Sequence, residues 1–131
     1  MCVFCQIIAG EISAHKLYED ENILAFLDIK PVNPGHVLVM PKKHYQNLED
    51  TPAEILSAVM AVVKKIGQLL KDKLGAAGYN VTENNDPVAG QIIPHLHFHV
   101  IPRHEGDGHP QWRQREYAPG EAEAILKQLS S

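Results

Sequence analysis

Cysteine is scarce: the chain holds only Cys2 and Cys5, and residues three apart close too small a loop to constrain the unfolded chain. A disulfide scaffold is excluded, and a 131-residue chain with 44% apolar residues buries a sufficient core without one. Positive charge is also short. Lysine and arginine number 12 against 16 aspartates and glutamates, a formal charge of −4, so no basic field is available to hold a nucleic acid polymer by counterion release. No stretch approaches the roughly 18 uninterrupted apolar residues of a membrane span, and Met1 to Ile8 carry no positive segment followed by an apolar one. The expectation is a cytoplasmic protein with neither membrane nor nucleic acid polymer as partner. Its length suits a single domain over 1–131.

Histidine, by contrast, is abundant. It occurs at 15, 36, 44, 95, 97, 99, 104 and 109, and the run at 95, 97 and 99 directs attention there. The two thiols at CxxC spacing suit a metal knuckle or a redox pair. A redox pair belongs on a strand-to-helix turn, and nothing before Cys2 supplies the strand, which favours metal.

Periodicity predicts an α+β fold. Phe4–Ile12 reads as one or two helical turns ending near Gly10; 16–19 and 23–28 read as a hairpin around Glu19–Asn22. Pro31–Gly35 is a loop, and His36–Met40 a buried strand stopped by Pro41. Thr51-Pro52-Ala53-Glu54 has the form of a capping box, followed by a long helix to Leu74 that ends at Gly75. Ile55, Val59, Val62, Val63, Ile66, Leu69 and Leu70 keep to one stripe of it. Strands are expected over 78–84 and 95–101, the latter bracketed by Pro94 and Pro102, then loop over 104–120 and a short helix over 121–129. The order gives an antiparallel meander sheet with the long helix on one face.

Along His95-Leu96-His97-Phe98-His99-Val100-Ile101 the three imidazoles share one face of a strand, about 6.5–7 Å apart, while Leu96, Phe98 and Val100 take the other. Such a row either chelates a metal or sets a central nucleophile between partners that hold phosphate oxygens.

This heptapeptide resembles the His-φ-His-φ-His-φ-φ signature of the histidine triad (HIT) superfamily of nucleotidyl hydrolases and transferases. The resemblance extends through Phe26-Leu27-Asp28, Pro34-Gly35-His36-Val37-Leu38-Val39, Pro41-Lys42-Lys43-His44 and Ala89-Gly90-Gln91, over roughly residues 2–103, leaving 104–131 as a variable tail. It implies a homodimeric enzyme acting on a purine ribonucleotide such as AMP or an AMP conjugate. His97 would attack the α-phosphorus, and His99 and His36 would flank the phosphate and serve the leaving group. Crowding imidazoles together disfavours a proton on His97, as attack requires. The resemblance further assigns Asp28 to the ribose hydroxyls, and Asn84 and Gln91 to the phosphates or leaving group. Val3, Phe4, Ile7, Phe26, Ile29 and Leu38 would wall the base. Cys2, Cys5, His44 and His95 would form a closed, structural Cys₂His₂ zinc site, with no organic cofactor.

One position departs from the family pattern. Ile92 stands where relatives often carry a hydroxyl that reaches the phosphate or leaving group. The expected reaction is cleavage of a phosphoramidate or acyl-adenylate; dinucleoside polyphosphate hydrolysis, or a nucleotide-binding interaction module with weak turnover, are the alternatives.

Overall fold

The structure, a computed structural model, describes residues 2–130. Five strands form one antiparallel sheet in the order β1-β2-β3-β5-β4: β1 Lys16–Glu19, β2 Ile23–Leu27, β3 Val37–Pro41, β4 Gly78–Thr82 and β5 Phe98–Arg103. Helices α1 (Val3–Ile8), α2 (Ala53–Leu74) and α3 (Glu121–Ser130) complete the fold, with a 3₁₀ turn at Pro87–Ala89. The expected antiparallel α+β sheet with one long helix is what the chain adopts; the strand order departs from a simple meander, because the connection through α2 places β5 rather than β4 beside β3. No helix among the described residues is long and apolar enough to cross a membrane.

The sheet is covered on both faces, which explains why β2 and β3 read as near-continuous apolar runs instead of alternating. Ile23, Ala25, Val37, Val39, Leu96, Phe98 and Val100 pack against Val59, Val62, Val63, Ile66 and Leu70 of α2. The intervening Leu24, Phe26, Leu38 and Met40 meet Phe4 and Ile7 of α1. His99 pairs in register with Leu38, so the row of imidazoles lies on the α1 face.

Several boundaries differ from the sequence pattern. The last strand starts at Phe98, so His95 and His97 sit on an extended lead-in, and Pro102 lies inside the strand. Beyond Val100 the strand pairs only with β4, leaving one side free of ladder bonds, where a residue without an N–H is tolerated. The capping box does not form: Pro52 occupies the N-cap of α2, and Thr51 Oγ1 donates instead to the Asn47 carbonyl at 2.7 Å. Helix α1 ends at Ile8, because Gly10 adopts φ +81°. β4 stops at Thr82, as Asn84–Gly90 folds back on itself, and β3 starts at Val37 and runs through Pro41.

Candidate active site and metal centre

His97 stands partly covered, with the Phe4 ring edge-on at 4.9 Å and the His99 ring centroid at 5.0 Å. Its Nδ1 lies 2.7 Å from the His95 carbonyl. A carbonyl only accepts, so Nδ1 carries the proton and the lone pair resides on Nε2. Burial lowers the His97 pKa, with the carbonyl bond and Asp28 opposing, which keeps the ring neutral and nucleophilic at neutral pH.

His36 and His99 form a directed pair beside it. The Val32 N–H donates to His36 Nδ1 at 3.1 Å, which leaves the His36 proton on Nε2. That Nε2 lies 2.9 Å from His99 Nδ1 and 3.7 Å from Asp28 Oδ2. His36 therefore donates to His99, and the His99 proton sits on Nε2. Burial first, then the neighbouring His97 and His36, push His99 down to about 4; burial also lowers His36, against the pull of Asp28. The arrangement carries an orderly chain of protons from one imidazole to the next without fixed positive charge.

Four further donors converge at the start of α1. Cys2 Sγ and Cys5 Sγ each lie 3.6 Å from His95 Nδ1, Cys5 Sγ lies 3.4 Å from His44 Nδ1, and the two imidazole Nδ1 atoms are 3.2 Å apart. A tetrahedral ion with bonds of about 2.3 Å to sulfur and about 2.05 Å to nitrogen requires edges of about 3.3 Å between two nitrogens and about 3.6 Å between nitrogen and sulfur. The four donors therefore fit a metal ion without rearrangement. His95, fully buried, gives its Nε2–H to the Pro41 carbonyl at 2.8 Å, which aims the Nδ1 lone pair at the centre. Burial and the adjacent Cys2 push the Cys5 thiol up, so two thiolates here call for a cation.

Comparison with known proteins agrees with this geometry. The HIT domain family model matches residues 9–106. The chain belongs to the HIT family. It is 56% identical over 108 residues to an uncharacterised HIT-like protein of Methanocaldococcus jannaschii, covering 82% of this chain and 83% of the relative. It is 43% identical over 106 residues to the adenosine 5′-monophosphoramidase of Candida albicans, covering 78% and 70%. Among solved structures, a HIT family protein of Bacillus subtilis superposes with TM-score 0.88 at 39% identity, over 98% of this chain and 94% of that one. A Zn-bound histidine triad family protein of Mycobacterium smegmatis gives 0.81 at 39% identity, over 98% and 95%.

The remaining residues singled out in this HIT chain divide. Phe4, Ile7, Phe26 and Leu38 are buried in one cluster, with Phe4 against the His97 ring, whereas Val3 is 38% and Ile29 86% exposed and neither joins that cluster. Asp28 accepts the Lys30 N–H on Oδ1 at 2.9 Å and turns Oδ2 toward His36. The Gln91 amide is engaged at both ends: Oε1 accepts the Asp86 N–H at 2.8 Å and Nε2 donates to the Gln46 carbonyl at 2.6 Å. Asn84 Nδ2 donates to the Gly90 carbonyl at 3.4 Å. Both side chains here stabilise the turn that leads into the histidines. Sequence reading did not single out Val32, whose contribution is a backbone N–H and leaves no trace in side-chain pattern.

Proposed function

We propose that the protein hydrolyses or transfers the nucleotidyl group of AMP-type conjugates, a phosphoramidate or acyl-adenylate, through a nucleotidyl-histidine on His97. The observation that carries this reading is the His97–His95 carbonyl bond at 2.7 Å, because it leaves the Nε2 lone pair outward and unprotonated. That atom attacks the α-phosphorus, a P–N bond forming as the bond to the leaving group breaks. The leaving group takes a proton from His99 Nε2 while His36, having first gained a proton from solvent, passes its Nε2 proton to His99 Nδ1, so both imidazoles end neutral and the Asp28 carboxylate offsets the positive charge held before the transfer. Water then forms a bond to phosphorus as the P–N bond to His97 breaks, its released proton returning to solvent, which yields AMP and a neutral ring. Phe4, Ile7, Phe26 and Leu38 supply the apolar floor a base needs. The 43% identical phosphoramidase of Candida albicans supports the substrate class.

Zinc in the Cys2, Cys5, His44 and His95 cluster would be structural. Four protein donors close a tetrahedral shell, with no position left for water, and His97 is outside it. When bound, the ion supplies a tether between α1 and the segments around His44 and His95. The free edge of the sheet at β4 supports assembly as a homodimer.

Incubation with adenosine 5′-phosphoramidate, quenching in alkali and peptide mass spectrometry should find AMP on the peptide bearing His97. The His97→Asn variant should lose turnover by at least about 10³-fold while still binding AMP, since floor and ribose contacts lie elsewhere. Near-normal kcat in that variant would overturn the covalent route.

A further inference from the structure

Between Asp28 and His36 every residue is exposed or half-buried except Asn33. Its amide is fully committed. Nδ2 donates to the Pro102 carbonyl at 2.9 Å and to Asp107 Oδ2 at 3.1 Å, while Oδ1 accepts from His109 Nε2 at 3.1 Å. Asp107 is itself a hub. It accepts Arg103 Nε and Nη2 at 2.8 and 3.0 Å and the backbone N–H groups of His104 and His109 at 3.1 Å each. Arg103 holds the Asp107 carboxyl far below the usual range, and its Nη1 reaches Asn80 of β4 at 2.8 Å. The hub is thus fastened to the sheet. Asp107 and His109 lie beyond the segment that matches the HIT domain, which ends at residue 106.

Through Asn33 this network meets the histidines by backbone alone. The Asn33 carbonyl accepts the His36 N–H at 3.0 Å, and the preceding Val32 gives its N–H to His36 Nδ1 at 3.1 Å. Val32 is exposed and joins neither hydrophobic cluster. Pro31 and Pro34 on either side offer no N–H to replace it. If the turn drifts, the Nδ1–H tautomer of His36 becomes accessible. Its Nε2 lone pair would then face the lone pair of His99 Nδ1, and the proton chain would be broken.

We infer that Asn33, clamped by Asp107 with its Arg103 partner, is a positioning residue that fixes the Nε2–H tautomer of His36 by holding Val32 N–H against it. The inference rests on the reaction proposed above for its kinetic consequence, but the tautomer itself is observable without substrate.

The test uses the full chain labelled with ¹⁵N-histidine, in which two-bond ¹H–¹⁵N correlations report which ring nitrogen carries the proton. In the parent protein His36 should appear as Nε2–H and His97 as Nδ1–H. In Asn33→Ala, His36 should become a mixture of tautomers while His97 stays unchanged. Hydrolysis of adenosine 5′-phosphoramidate should lose about tenfold in kcat with KM within twofold, as expected when a reacting group is misaimed and binding is kept. Should Asn33→Ala not fold, Asp107→Asn keeps the size of the hub and should give the same mixture. A folded variant in which His36 remains wholly Nε2–H overturns the inference, whatever happens to kcat or melting temperature. A parent protein with His36 in the stated tautomer and no adenylylated His97 overturns the reaction and leaves the positioning role standing.

Discussion

The attack proposed for His97 needs a neutral ring, and burial keeps His97, His36 and His99 neutral, helped at His99 by the two neighbouring imidazoles and opposed by Asp28 and, at His97, by the bond to the His95 carbonyl. Such neutrality ties stability to pH. His99 titrates near 4 in the folded protein and near 6.5 unfolded, so between those values the unfolded chain binds more protons. The contribution is fully present above pH 6.5 and is lost as pH falls through about 4. Urea melts at pH 7 and pH 5 should therefore show a drop for the parent that is smaller in His99→Asn, by on the order of 1 kcal/mol. An equal drop in both proteins would mean that another group carries the acid sensitivity. His97, His99, His95 and the two cysteines stand out in the sequence because their type and spacing are unusual. The roles of Val32, Asn33 and Asp107 do not, since they act through backbone groups and through residues distant in the chain that folding alone brings together.

At the scale of elements, apolar period decides what is legible. The 3.6-residue stripe of α2 places its core face at the residues that bury it. Strand ends are less legible because they depend on which neighbour supplies ladder bonds: β5 gains three residues past Val100 through β4 alone, and Pro102 is accommodated there. The start of α2 was misleading for a related reason, as the Thr51 hydroxyl found a carbonyl at Asn47 and was no longer available to cap. One contact between elements was invisible in the sequence. Gly67, in mid-helix, lets the Tyr79 ring of β4 lie against the α2 backbone, and a Cβ there would stand 2.3 Å from Tyr79 Cζ. Alanine adds about 1 kcal/mol of helix propensity, but displacing a packed ring costs about 1–3 kcal/mol. Gly67→Ala should lower the melting temperature slightly in the parent and raise it in a Tyr79→Ala background. The same sign in both backgrounds would show that the ring is not what requires glycine.

At the scale of the whole molecule, the candidate metal centre is the point at which separate parts of the chain meet. Helix α1 contributes six residues and two buried side chains, too little to hold its position by packing alone, yet Phe4 forms the edge of the His97 environment at 4.9 Å. Two thiols from this helix segment meet His44, beyond β3, and His95, ahead of β5, so an ion there would fasten the N-terminal segment across the sheet. His95 also aims His97 through its carbonyl, which makes the candidate centre and the proposed nucleophile neighbours along the backbone without sharing a side chain. The effect of removing metal should then be graded: stability first, binding second, chemistry last. Purified protein should hold about one zinc per chain, as a closed four-donor site requires. Cys2→Ser with Cys5→Ser, or chelation, should lower the melting temperature by about 5–10 °C, equivalent to about 2 kcal/mol for a domain of this size. KM for adenosine 5′-phosphoramidate should rise as Phe4 loosens, while kcat at saturation stays within a few-fold because the His97, His99 and His36 contacts do not pass through the cysteines. Melting, elemental analysis and turnover on one chelated sample distinguish the cases. Protein that never contains zinc has no such tether, and kcat abolished at unchanged melting temperature would assign the ion to the reaction instead.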